Sequence, residues 1–430
     1  MGFDRNTIVG FVLLAVLFFG YFLYTSSNQK KYAAEKKRYD DSVKAVTAKN
    51  IDTSRQKKEV EILQKAQDTL AAGNFKQMVN GTEQFTVIEN DLMKATFTNK
   101  GGWLKMVELK KYKGPDGLPV KMGGTDIDLF QYTINTGTNE STTTGKLFFN
   151  APVISKTGNQ QTISYQITSA DGKGITHSFT IKPNDYLIDA NISLSGADQL
   201  LTQQALNISW SVVARQQQKD LKYEKTQTKL VYHTNNEYDF NSALNSISEQ
   251  LKNNTQWIGL KQQFFNSTLI AKNNFNNIQA DVIVPDDSIS QVGTLKTSSR
   301  LLVGSGNKVQ VPFQIYYGPN EYYLLKSYNN GMHNVVDLGS GIFSFVKYIN
   351  RGVIMPVFGF LAKMMSGKLG WAILLLTFFI RLLISPLTYS SYLSGAKMKV
   401  LQPDLKALKT KLGSDQQAYS MEQMKLFREA

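Results

Sequence analysis

The chain of 430 residues carries 48 Lys and Arg against 34 Asp and Glu, a formal net charge of +14, with no cysteine and only three histidines. The missing cysteine excludes a disulfide framework, a thiolate zinc site, an iron–sulfur cluster and a cysteine nucleophile, and His177, His233 and His333 lie too far apart for a HExxH-type metal site; by default they are structural or surface residues, and no metal or cofactor is expected. The basic balance suits a nucleic-acid binder in sign only, because the lysines are scattered and no zinc-finger, RRM or KH pattern accompanies them.

The first element is Ile8 to Tyr24, IVGFVLLAVLFFGYFLY, uncharged and of the ~17 residues that just span a bilayer. Only Arg5, offset by Asp4, precedes it, and bulky Phe22, Leu23 and Tyr24 close it. Residues 1–28 therefore read as an uncleaved transmembrane anchor rather than a signal peptide. Residues 29–81, with runs such as KKYAAEKKRYDD, read as a polar linker of helical tendency whose charges are solvated.

Residues 82–336 are all-β in character. Val309, Val311, Phe313 and Ile315 alternate with Lys308, Gln310, Pro312 and Gln314, the period of a half-buried strand. The alternation recurs at Ile163, Tyr165 and Ile167, and at Ile188, Ala190, Ile192 and Leu194. Turn signals NKGG at 99–102, PDG at 115–117 and PND at 183–185 separate the runs. A large β-sandwich follows, with one helical insertion expected near Asn241 to Leu251. Asp171, Asp189 and Asp220 show no spacing that pairs two carboxylates, and with no GxSxG or phosphate loop the domain is not expected to be an enzyme.

Residues 337–367 hold an amphipathic helix, with Ile342, Phe345, Val346 and Ile349 on one face and Ser344, Lys347, Asn350 and Arg351 on the other. An apolar piece and a long apolar run follow, so this helix is read as lying in the membrane interface rather than on a soluble core. Residues 368–393 form a transmembrane helix. Trp371 marks one boundary and Tyr389 and Tyr392 the other, and Arg381 falls near the centre, where a charge costs about 2.5 to 3.5 kcal/mol on insertion scales. Trp371 to Ile380 is too short to span alone, so Arg381 is read as an intramembrane charge facing water or a polar partner, not as a snorkelling one. Pro386 is expected to kink the helix and free a backbone carbonyl.

Residues 394–430 read as a helical hairpin. Leu401, Leu405, Leu408 and Leu412 step by 4, 3 and 4, Gly413-Ser414-Asp415 breaks the helix, and Met421, Met424 and Phe427 share a side of the second segment. Lys397, Lys399, Lys406, Lys409 and Lys411 place this end in the cytoplasm by the positive-inside rule, which puts the β domain outside and the N-terminus inside. These lysines are the expected cytoplasmic contact surface.

The run IRLLISPLTYSSYLSGAKMKVLQPDLKALKTKLG resembles the YidC family of membrane protein insertases. There, an intramembrane arginine is followed by a proline and then by a (K/R)-M-x-x-L-Q-P segment opening a cytoplasmic hairpin. Arg381, Pro386, Lys397-Met398 and Leu401-Gln402-Pro403 match. ENDLMKATFTNKGGWLKMVELKKY is similar to the opening of the family's periplasmic domain, whose fold the resemblance gives as a mutarotase-type β-supersandwich. The resemblance implies a multi-pass protein of the bacterial inner membrane that inserts and helps fold nascent membrane proteins in the lipid bilayer, with the ribosome and the Sec translocon as partners and a hydrophilic groove around Arg381. It also implies five core membrane helices, of which these residues hold the first, and so a truncated chain. The competing reading is a membrane-anchored periplasmic binding or scaffold protein with a sugar-binding-like sandwich.

Overall fold

The computed structural model describes residues 53–252, 254–339, 343–412 and 415–429. The anchor expected over residues 1–28 and the linker up to residue 52 lie outside the described residues. The chain divides into two compact units, one ending at Asn320 and the other beginning at Glu321.

The first unit opens with helix α1, Thr53–Ala71, and a 3-10 turn, Gly73–Met78. This end of the linker stretch is docked: Ala72, Phe75 and Val79 are buried, Thr136 Oγ1 donates to the Ala71 carbonyl at 2.6 Å, and Lys146 pairs with Asp68 at 2.6 Å. Four antiparallel strands, Phe85–Glu89, Met93–Thr98, Trp103–Lys113 and Pro119–Gly123, form one sheet in chain order. The other sheet has 14 strands. Its main path runs from Glu140–Thr143 through Leu129–Gly137, Ala205–Arg215, Gln291–Leu302, Phe265–Ile283, Lys308–Pro319, Leu187–Ser195, Gly174–Ile181 and Gln160–Thr168 to the edge strand Val153–Thr157.

Alternation in the sequence becomes burial in the sheet. Val309, Val311, Phe313 and Ile315 are all buried, as are Ile163 and Ile167 and the set Ile188, Ala190, Ile192 and Leu194. Tyr316 is buried too, although it sits on the polar register, because Lys308–Pro319 is a central strand with neighbours on both edges.

The helical insertion expected near Asn241 to Leu251 is not there. Glu237–Ser242 and Ile247–Leu251 are strands. The first returns on Lys229–Thr234 through Asn235 and Asn236, both with positive φ (51° and 66°), the conformation that a two-residue hairpin turn needs and asparagine tolerates. The second pairs with the distant run Ile278 to Val282. Non-local pairing overrides the local helical tendency here.

His177 is the main polar anchor of this core. It is fully buried, its Nδ1 donates to the Gly102 carbonyl at 2.9 Å, and its Nε2 accepts from the Tyr132 hydroxyl at 2.8 Å. Gly101 and Gly102 both have positive φ (75° and 59°), and a Cβ on Gly102 would meet the Phe149 ring at 2.9 Å, so the NKGG turn needs both glycines. The acids have structural duties. Asp220 caps the short helix Leu221–Thr226, Asp189 pairs with Lys182 at 2.6 Å, and Asp171 holds Lys173 at 2.7 Å and accepts from Ser169 Oγ, hydrogen bonds that lower its pKa to about 2.

The second unit is helical. α2, Tyr322–Ser327, leads through a 3-10 turn, Met332–Val335, to a longer helix, α3, over 346–364. α3 is interrupted by a π turn, Asn350–Ile354, in which the Met355 amide reaches back five residues to the Asn350 carbonyl. The wide turn directly precedes Pro356, whose ring cannot face a carbonyl four residues back. α4, Leu369–Leu412, and α5, Gln416–Glu429, complete the unit, and Asp415 Oδ1 accepts from the Gln417 and Ala418 amides at the start of α5.

The expected faces of α3 are only partly reversed relative to the helix of a soluble core. Ile342 lies outside the described residues; Phe345, Tyr348 and Ile349 are exposed and Val346 is half-buried, whereas Lys347, Asn350 and Arg351 are half-buried against residues of the same unit and Ser344 is exposed. Asn350 Nδ2 donates to the Leu338 carbonyl at 2.8 Å, and Arg351 reaches Asn334 Oδ1 at 3.4 Å.

Candidate functional site: a polar stripe along an apolar helix

α4 has 44 residues, about 66 Å at 1.5 Å per residue, roughly twice the thickness of a bilayer core. Its first half is long and apolar enough to cross a membrane. Trp371 and Tyr389 stand about 27 Å apart along the axis, with Arg381 about 15 Å from the first. Arg381 is exposed and makes no ion pair or hydrogen bond among the described residues.

Arg381 is not isolated in the helical pattern. Thr377, Ser385 and Thr388 lie at i−4, i+4 and i+7 from it, on one face. The stripe continues through Tyr392, Lys399 and Lys406, while Phe378, Phe379, Leu382, Leu383 and Leu387 cover the rest of the span and are exposed. The three hydroxyls are satisfied within the helix: Thr377 donates to the Ile373 carbonyl at 2.8 Å, Ser385 to Leu382 at 2.8 Å and Thr388 to Ile384 at 3.1 Å. Each hydroxyl oxygen still has acceptor capacity after donating, so the face can accept a hydrogen bond from water. Sequence reading missed these three residues, although their spacing around Arg381 carried the signal.

Pro386 lies inside α4, which remains helical through it and through Pro403. The carbonyl that Pro386 leaves without an amide is that of Leu382, and Ser385 Oγ donates to it. The serine before the proline thus keeps the break from exposing an unpaired group to lipid.

All five lysines of the expected contact surface stand on the distal half of α4. Their spacing does not gather them: Lys399 and Lys406 continue the Arg381 stripe, and Lys397, Lys409 and Lys411 project from other sides. Leu401, Leu405, Leu408 and Leu412 are half-buried with exposed lysines between them, as a hairpin seam requires. α5 also has two distinct sides. Ala418, Tyr419, Gln423 and Leu426 are half-buried, and Met421, Met424 and Phe427 point outward.

The first unit offers a cleft of about 520 Å³ lined in part by α1, Trp103 and Phe148. Its charges are mostly spoken for, with Lys146 on Asp68 and Lys105 at 3.9 Å from Asp126. His177 is sealed in the core and is not part of its lining.

The family model described as YidC periplasmic domain matches residues 86–349, and the model described as 60Kd inner membrane protein matches residues 360–430. A membrane protein insertase YidC of Parabacteroides distasonis is 28% identical over 432 residues, covering 95% of this chain and 67% of its own length. Its namesake in Azobacteroides pseudotrichonymphae is 29% identical, covering 99% and 69%. A solved structure of an active YidC insertase aligns over 82% of this chain and 66% of its own, at 19% identity and a TM-score of 0.33.

Proposed function

This chain belongs to the YidC family of membrane protein insertases, and from that premise we propose that the polar stripe of α4, centred on Arg381, is the surface along which substrates enter the bilayer. The observation that carries the reading is the unpaired arginine at mid-span with its three hydroxyl neighbours on one face. A cation in a low-dielectric, hydrated groove attracts an acidic or polar tail strongly, while the tail's apolar segment stays against lipid. The barrier to crossing falls without covalent chemistry.

Around that centre the parts take these roles. The β unit lies in the periplasm, the N-terminus and the lysine-bearing end of α4 in the cytoplasm, and α3 in the outer interface of the inner membrane. Lys397, Lys399, Lys406, Lys409 and Lys411, spread around α4, meet the ribosome or the Sec translocon from several sides. An anchored sugar-binding scaffold is not favoured: the relatives are insertases, and the buried His177 is engaged in structural bonds.

The chain has no cysteine, which makes a direct test simple. Single cysteines placed at Thr377, Ser385 or Thr388 in the membrane-embedded protein react with a membrane-impermeant thiol reagent at least tenfold faster than cysteines at Phe378, Leu382 or Leu383. Thiolate forms only where water reaches, so equal, slow labelling of both sets would remove the hydrated face.

A further inference from the structure

The start of the second unit gathers positive charge around one aromatic ring. Lys326 Nζ lies 5.9 Å from the centre of the Tyr322 ring, the Arg351 guanidinium lies 5.2 Å from it, and His333 meets it edge-on at 5.6 Å. Lys347 is one helical turn before Arg351, on the same face of α3. Apart from the ring contacts and the Arg351 to Asn334 bond, none of the three cations has a partner among the described residues, and none makes an ion pair. Their field reaches His333, whose protonated form is disfavoured by burial first and then by Arg351, Lys326 and Lys347. Asp337 accepts from the Gly339 amide at 3.3 Å, and the groups that act on His333 include neither it nor Glu321.

Lys347 and Arg351 are half-buried and Lys326 is exposed, and half-buried cations without counter-charge are costly unless an anion meets them. What surrounds them identifies the anion. Ile349 is exposed on the far side of the same helix, Tyr348 beside the cations and Phe345 just before its start are exposed too, Phe360 and Met364 are exposed further along it, and only residues 365–368 separate α3 from the span. A helix with its apolar side outward, joined so closely to a membrane helix, rests at headgroup depth, where the abundant anion is lipid phosphate.

We propose that Lys326, Lys347 and Arg351 form a site for the phosphate of an anionic phospholipid headgroup, which pins α3 to the bilayer surface. The proposal rests on α4 crossing the membrane and not on any role for Arg381. The test uses the detergent-extracted protein titrated with phosphatidylglycerol, with bound lipid counted by native mass spectrometry. K347Q/R351Q loses one bound lipid at concentrations that fill the site in the unaltered protein, an affinity drop of about thirtyfold for the two cations removed. K347R/R351K, which keeps both charges, stays within about threefold. Unchanged lipid binding in the glutamine variant overturns the proposal. Equal loss in both variants also overturns it, because the residues then act through packing on Tyr322 rather than through charge. Full displacement of the lipid by millimolar inorganic phosphate assigns the site to a soluble anion and overturns it as well.

Discussion

Replacement of Arg381 by alanine lowers insertion of substrates with acidic tails by about thirtyfold, and Arg381→Lys retains most of the activity. The figure follows from one full charge acting over about 8 Å at an effective dielectric near 20, an attraction on the order of 2 kcal/mol. On the proposed route the tail passes the charge in mid-membrane and not at its resting positions, so the figure applies to the barrier. Lysine keeps the charge but loses the planar fork, so a Coulombic attraction gives only a modest loss, and a full loss would show that bidentate geometry is required instead. Protease protection of a radiolabelled substrate in vesicles carrying each variant reads the result. Substrates whose tails lack acidic residues serve as the internal comparison and change less than threefold. Equal insertion by the alanine variant would falsify the electrostatic account.

The second large effect concerns the β unit. Burial lowers the folded-state pKa of His177 from 6.5 to about 4. The unfolded chain titrates near 6.5, so between these values it binds a proton that the folded protein refuses. Stability is complete above pH 6.5 and drains as the pH falls toward 4, by on the order of 3 kcal/mol in total. His177→Ala removes this part of the pH dependence. It also costs about 3 to 5 kcal/mol at neutral pH, because it leaves a cavity and deprives the buried Tyr132 hydroxyl and the Gly102 carbonyl of their partners. Trp103, whose ring lies edge-on to His177 at 5.9 Å, reports unfolding by fluorescence in urea titrations between pH 4 and 8. A variant with wild-type stability and an unchanged acid slope would show that His177 is not the anchor of the NKGG turn.

Much of this was legible in the residues, and the exceptions share a cause. The strand at Val309 to Ile315 and the seam from Leu401 to Leu412 are periodic patterns that a single element settles by itself, and both match the observed burial. Arg381 stood out because one charge in an apolar run has few explanations. Asn241 to Leu251 misled because its partner strands lie upstream at Lys229–Thr234 and downstream in Phe265–Ile283, and neither pairing leaves a local trace. The two faces of α3 are legible in the spacing, but not that Asn350 and Arg351 turn toward Leu338 and Asn334, which only the chain path brings there. The outward side of α5 is likewise set by the hairpin turn, since spacing names the members of a face but not its direction. Thr377, Ser385 and Thr388 differ from these cases, since their positions were readable all along.

The π turn in α3 bears on which length changes the chain tolerates. In an uninterrupted α-helix, Tyr348 and Phe360 would stand about 120° apart around the axis; a wide turn absorbs one residue and brings them within about 20°. Ile349 and Met364 come within about 40° of each other by the same arithmetic. Deleting one residue from Asn350–Ile354 would convert the turn to ordinary helix and leave those side chains in line. Inserting one more would swing everything after it by about 100°, carrying Phe360 and Met364 away from the side held by Tyr348 and Ile349. A shortened variant should therefore still lay α3 along the bilayer surface, and a lengthened one should not, while α4 keeps both in the membrane.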